Sequence, residues 1–584
     1  MLQTTKKAFS LLTRAERRRV VPLVFMMLVG AVLESLSVTM VIPIVAGFMD
    51  VDRMVDGPFG AFIGKFVTFA DPRGYLGVLI VAMVLLFIAK NAFLLWTTYA
   101  QHRFTSSVYE RVHNGLLSYF LMKPYEFFLG TDSGKILQVV TIDSDNYSKL
   151  LNHVLRILTD ALVTVSVLAV VLVVSPRITV MLGCVMAVEY LIILRFIKPF
   201  LREYGLRYRQ AVGEGNGQII EIMRGMKSVK VSSTEGFFAH RYADKVREIA
   251  KAKFIENAFT EAPKRLVEAM TVSALLLYLL GILAVGGDLA GLIPVLSAFI
   301  LAATRVLPSI GSISNSVSHM GYHEASLERV YSIFRELEKR GSNEDAHGVL
   351  PFARSIDFVD VTYSYPDAQA PVIDRASIQI PKYSVLGIVG PSGVGKTTFV
   401  DVLLGLLNPQ EGIVLVDGEP VETSSSNWKR LFAYIPQDIF MLNGTIWDNV
   451  VFGRDVDRND PRVCKEVWEA IEAAQLSEFV GSLKHGLDSE IGEAGVRLSG
   501  GQAQRIAIAR ALYANASVLV FDEATSALDY RTEEMLMESI EKLKGSKTIV
   551  IVAHRMRTLR GCDLVYRIEG GKIAHVNKEE ILQD

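Results

Sequence analysis

Gly390-Pro-Ser-Gly-Val-Gly-Lys-Thr-Thr398 decides the fold of the second half of this chain. It has the form G-x-x-x-x-G-K-T, a loop whose backbone N–H groups cradle phosphate oxygens. The β-branched run 385–389 predicts a strand leading into it, and the amphipathic pattern 399–407 predicts a helix leading out. That order matters because N–H groups then point at the anion from the positive end of a helix. Gly390, Gly393 and Gly395 let the backbone close without Cβ clashes, and Ser392 and Thr398 complete the loop. Lys396 is placed to reach the β- and γ-phosphates of a nucleotide, and the Thr397 hydroxyl to ligate Mg²⁺.

The remainder of the 584 residues is long enough for more than one domain. Half of the residues are hydrophobic and the mean hydropathy is +0.32, which points to membrane spans. The formal net charge of −1 gives no argument for a nucleic-acid partner. Cys184, Cys464 and Cys562 are far apart, without the spacing of a disulfide framework or a zinc site. With no cysteine before Cys184, an N-terminal thiol-protease domain is not expected.

Residues 1–19 carry Lys6, Lys7, Arg14, Arg17, Arg18 and Arg19 and read as a cytoplasmic segment by the positive-inside rule. The apolar run behind them is too long for a cleaved signal peptide. Six stretches near the ~20 residues needed to cross a bilayer follow, at about 20–48, 77–101, 154–175, 177–197, 266–286 and 289–308. Two long, basic, helical segments at about 102–153 and 198–265 read as helices continuing into the cytoplasm. The first outer loop holds Phe59, Phe62, Ile63, Phe66 and Val67 at helical spacing. Two readings stand for the 58–69 segment: a helix on the outer membrane surface, or one packed on neighbouring spans. The domain plan is therefore a cytoplasmic segment 1–19, a six-span domain 20–325, a helix and polar linker 326–350, and an α/β domain 351–584.

Within that last domain, Val518-Leu-Val-Phe-Asp522 reads as a buried strand ending in a carboxylate, where P-loop enzymes hold Mg²⁺. Glu523 follows, placed to polarise an attacking water. Ligands bind at the carboxyl ends of strands in such sheets, which favours this over a salt-bridged strand end. Gln437 and His554 end two further strand patterns and are placed to sense the γ-phosphate, with Gln437 also facing the metal. Tyr365 ends a strand about 25 residues before the loop; it either stacks on an adenine ring or packs in the core. Leu498-Ser499-Gly500-Gly501-Gln502 opens a helix pattern and is a second anion-binding device. One nucleotide does not need two cradles on one domain.

Taken together these motifs resemble the ATP-binding cassette (ABC) transporters. The resemblance makes Tyr365 the A-loop, 390–398 the Walker A loop, Gln437 the Q-loop, 498–502 the signature, Asp522-Glu523 the end of Walker B, 526–529 the D-loop and His554 the switch. It implies ATP and Mg²⁺ as cofactors, and two cassettes facing head to tail, so that each ATP lies between the Walker A of one and the signature of the other. Six spans and one cassette resemble an exporter half-transporter, implying a second copy of the chain as partner; a heterodimer is the other arrangement. The turns at 124–128 and 235–238 look like coupling helices, with Glu493 as their contact.

Cargo must be read from the membrane half, where ionisable groups are functional candidates. Lys90 lies roughly 20 Å and Arg305 roughly 24 Å from the outer face at about 1.5 Å per residue, and Lys264 lies at the inner end of span five. All fall in the inner half, where a basic ring would suit a phosphate or pyrophosphate. The other reading is structural: Glu34, Asp160 and Glu189 also sit in spans and can pair with them. The stretches 32–43, 305–308 and 323–327, with the 58–69 segment, resemble the ABC flippases of polyprenyl-pyrophosphate-linked oligosaccharides. That resemblance implies ATP-driven flipping of a lipid-linked oligosaccharide to the outer leaflet of a bacterial inner membrane, with the cassette in the cytoplasm. The alternatives are a general exporter of drugs, lipids or peptides, and an ATP-gated regulator, against which the intact Glu523 and His554 argue.

Overall fold

The computed structural model describes residues 2–40, 44, 48, 72–174, 176, 180, 183–184, 187–188, 191–284, 293–340, 350–366, 368–492, 495–522, 530–553 and 556–577. The chain divides into two compact units, one of residues 1–123 and 127–341, the other of residues 124–126 and 342–584.

The first unit is helical. Thr13 starts its first long helix, Arg14–Thr39, with a capping box: its hydroxyl accepts from Glu16 N–H while Glu16 accepts from Thr13 N–H. The helices Pro72–Leu121 and Glu235–Ala284 have 50 residues each and Ile293–Arg340 has 48. At about 1.5 Å per residue each is far longer than the ~30 Å hydrocarbon layer, so each continues beyond the membrane. Among the described residues, three helical segments are long and apolar enough to span it: Arg14–Thr39, Arg73–Leu121 and Ser133–Val170. The most apolar window, within Arg73–Leu121, is only 11% buried by protein. Val84, Leu85, Ile88 and Leu95 face outward there, a surface that lipid, not water, satisfies.

The helices hold together beyond the spans by apolar and polar contacts alike. Val108, Val112, Leu116, Tyr147, Leu150, Leu151, Leu327 and Val330 are fully buried between Pro72–Leu121, Ser144–Val174 and Ile293–Arg340. The fully buried Asp143 carboxylate accepts from Arg209 at 3.0 Å and from Ser326 at 2.8 Å, which ties three helical segments at one charged point. No break separates the sixth expected span from the charged helix 326–340: one helix, Ile293–Arg340, runs through both. The surface-helix candidate 58–69, the turn 286–288, the polar linker at 341–349 and Glu189 lie outside the described residues.

The second unit is α/β. Strands β1 (Ser355–Tyr363), β2 (Ile373–Pro381), β4 (Glu411–Val416) and β5 (Glu419–Pro420) make an antiparallel sheet in the order β2-β1-β4-β5. Strands β3 (Val385–Val389), β6 (Phe432–Ile435), β7 (Val518–Asp522), β8 (Thr548–Val552), β9 (Leu564–Glu569) and β10 (Lys572–Val576) make the other, in the order β10-β9-β3-β8-β7-β6. Only β10 is antiparallel in it. Strands β3, β7 and β8 are buried at every residue, as near-continuous Val/Ile/Leu runs covered on both faces must be.

Candidate ATP site

The register of the parallel sheet gathers the phosphate chemistry on one edge. Val552 of β8 pairs with Ile388 of β3 on one side and Asp522 of β7 on the other. Phe521 pairs with Ile435 of β6, and Gln437 follows two residues later. The Walker loop, Asp522 and Gln437 thus all leave the sheet at its carboxyl edge.

The loop itself is built by glycine. Gly393 has φ +76° and Gly395 φ +108°. Gly395 is the N-cap of the helix Lys396–Leu403, and a Cβ there would stand 2.7 Å from Val372 Cγ1. The helix begins at Lys396, earlier than the pattern 399–407 suggests, because the loop glycine and not the first apolar residue ends the turn. Lys396 is buried and its Nζ donates to the carbonyls of Gly390 at 2.9 Å and Pro391 at 3.1 Å. Its ammonium is therefore drawn across the concavity of the loop. Ser392 and Thr397 are exposed, while Thr398 is buried with its hydroxyl 3.2 Å from the Tyr365 hydroxyl. Tyr365 packs edge-on against Tyr363, ring centres 5.3 Å apart, so it is anchored by an aromatic neighbour and borders the loop.

Asp522 is buried, and its Oδ2 accepts from the Tyr434 hydroxyl at 3.1 Å. Burial and the Asp522 charge push the Asp401 carboxyl up to about 6. Neither Tyr434 nor Asp401 stands out in the sequence; Tyr434 is one alternate residue of β6, and only the strand register brings it to Asp522. Gln437 is exposed. Glu523, the 526–529 segment, His554 and Glu493 lie outside the described residues.

The signature segment has its own geometry. Ser499 caps the helix Gly500–Tyr513: its hydroxyl accepts from Gln502 N–H at 3.3 Å, and Gln502 Oε1 accepts from Ser499 N–H at 2.8 Å. Gln502 is thus committed to the cap, while Ser499 and Gly500 are exposed at the helix N-terminus and Gly501 is half-buried. Further along, Arg510 donates to the carbonyls of Phe440 at 3.1 Å and Asn449 at 2.9 Å. This pins the signature helix to the segment that follows Gln437.

Of the three candidate cargo cations, Lys90 is described in full. It is 1% exposed, its Nζ lies 2.8 Å from Glu34 Oε2 and 3.3 Å from Ser37 Oγ, and it sits over the Phe87 ring. Lys264 lies on Glu235–Ala284 and Arg305 on Ile293–Arg340; their side chains lie outside the described residues.

Residues 54–314 match the ABC transporter transmembrane region, and residues 373–526 match the ABC transporter domain. An ATP-dependent lipid A-core flippase of Methylobacillus flagellatus is 30% identical, over 81% of this chain and 80% of its own length. This chain belongs to the ABC transporter family. Another relative, the ATP-dependent lipid A-core flippase of Desulfotalea psychrophila, is 27% identical over 87% of this chain and 88% of its own. The fold also matches the structure of a bacterial Atm1-family ABC exporter with ATP bound, at TM-score 0.78 and 22% identity, covering 98% of this chain and 97% of that one. One membrane region with one ATP-binding domain makes this ABC protein an exporter half-transporter, an ATPase coupled to translocation across a membrane.

Proposed function

We propose that this exporter flips a lipid with an anionic, phosphorylated saccharide head from the inner to the outer leaflet of a bacterial inner membrane, working as a homodimer. A lipid-linked oligosaccharide with a pyrophosphate head is the cargo that the sequence resemblance favours. The observation that carries the flippase reading is the likeness, over most of the chain, to relatives named lipid A-core flippases. In this reading each ATP is held by Tyr365, the loop 390–398 and Lys396 of one chain, and by Ser499, Gly500 and Gly501 of its partner. The donor set at the sheet edge fits Mg²⁺: the Thr397 hydroxyl, the Gln437 carbonyl and the Asp522 carboxylate are all oxygen ligands. Mg²⁺ would neutralise charge on the phosphates. Glu523 would orient and polarise the attacking water, and His554 would contact the γ-phosphate. The turns 124–128 and 235–238 would couple the cassette to the membrane helices.

A second reading, a general exporter of drugs, lipids or peptides, draws support from the Lys90–Glu34 pair, which occupies that cation within the protein. Proteoliposomes separate the two. With purified chain and ATP, a polyprenyl-pyrophosphate saccharide should move to the opposite leaflet, and Glu523→Gln should abolish that movement while ATP still binds. Equal transport of unrelated drugs or peptides, with no movement of the saccharide lipid, would refute the flippase reading.

A further inference from the structure

Away from the ATP site, the helices Ser144–Val174, Glu235–Ala284 and Ile293–Arg340 bring three histidines and a glutamate together. His319 and His323 are four residues apart, hence on one face of their helix. Glu256 faces them from the neighbouring helix, with Oε1 3.5 Å from His319 Nδ1. One ligand atom from each of Glu256, His319 and His323 falls within 4.8 Å of the others. The Nδ1 atoms of His319 and His323 are buried without a hydrogen-bond partner, an arrangement that folded proteins avoid unless something else satisfies the group. None of these residues takes part in nucleotide chemistry.

We propose that Glu256, His319 and His323 form a binding site for a divalent first-row transition ion of the Zn²⁺ class. Two imidazoles and a carboxylate are the donor set such ions take, with a fourth position left to water. Metal–nitrogen bonds of about 2.0–2.1 Å place tetrahedral ligand atoms about 3.4 Å apart, so the group closes by little more than an ångström on taking the ion. His319 and Glu256 keep side-chain exposures of 24% and 15%, which provides an entry path. His153 stacks on His319 with ring centres 4.6 Å apart at 15°, and its Nδ1 is 3.3 Å from Ser316 Oγ. That stack restrains the His319 ring plane. The cations on the His153 side are accounted for: Lys149 pairs with Asp145 at 2.7 Å and Arg156 lies 3.9 Å from Asp160. An ion here would clamp Glu235–Ala284 to Ile293–Arg340.

The test uses the full chain in detergent micelles, stripped with a chelator and titrated with Co²⁺ as an optical probe. One Co²⁺ per chain should bind with visible d–d bands that Zn²⁺ displaces. The pair His319→Ala and His323→Ala should remove the bands and weaken binding by more than the ~10–100-fold that loss of an outer partner costs. Bands of unchanged intensity in that variant, or none in the wild type at saturating Co²⁺, would overturn the proposal. Histidine-selective modification of the wild type keeps the question open to refutation should the variant misfold. Zn²⁺ should slow modification at His319, and equal rates with and without Zn²⁺ would count against the site.

Discussion

At the residue scale, Lys90 shows how packing changes the meaning of a charge. In the sequence it is a cation deep in a span, open to either cargo or a partner. In the structure it is buried against Glu34, Ser37 and Phe87. Lys90→Ala removes the cation from a buried carboxylate, so it should cost about 3–5 kcal/mol, measured by thermal unfolding of the detergent-solubilised protein. Combining Lys90→Met with Glu34→Gln should recover most of that loss, because apolar or neutral replacements of a buried pair are tolerated. If the double variant is stable and still transports, the pair is a structural device. If it is stable and transport is lost, Lys90 touches cargo. The sequence offered Glu34, Asp160 and Glu189 as partners but not which of them Lys90 meets, since 56 positions separate Glu34 from Lys90.

At the scale of elements, the phosphate loop and the signature helix are each one strand–turn–helix or cap motif, and both were legible. Gly395→Ala should abolish ATP binding, since the new Cβ meets Val372 Cγ1 at 2.7 Å in a left-handed conformation. Gly393→Ala meets open space and pays only the conformational cost, about 1–2 kcal/mol; fluorescent-nucleotide binding should rank the two accordingly. Ser499→Asp separates capping from phosphate contact. Asp caps about as well as Ser, so the melting temperature should stay near wild type, whereas under the proposed phosphate contact a carboxylate at this position should collapse ATPase turnover. A large fall in melting temperature with turnover retained would make Ser499 a cap and nothing more. What the sequence did not reveal at this scale is the Tyr434–Asp522 bond and the raised Asp401, because strand register decides them.

At the scale of the whole molecule, the proposed composite site makes a prediction that no single chain can satisfy. Lys396→Ala and Ser499→Asp homodimers should each be inactive. Mixing the two chains gives heterodimers with one intact site, made of Lys396 from one chain and Ser499 from the other. ATPase activity should therefore reappear on co-expression, read as phosphate release. If each chain built its own site, every chain in the mixture would carry a defect and the activity would stay at background.

The phosphate loop, the strand behind it, the signature cap and the long apolar helices depend on neighbouring residues, and backbone sterics, helix-end hydrogen bonds and hydropathy act over those short distances. They are readable from consecutive letters. The pairing of Lys90 with Glu34, the Asp143–Arg209–Ser326 tie, the Tyr434 bond to Asp522 and the Glu256–His319–His323 group join residues distant along the chain. Helix packing and strand register alone decided those, because a side chain's partner is set by which elements meet and in what rotation. The loop at 390–398 announces that ATP is used; which groups are buried beside one another was settled only when the helices and strands came together.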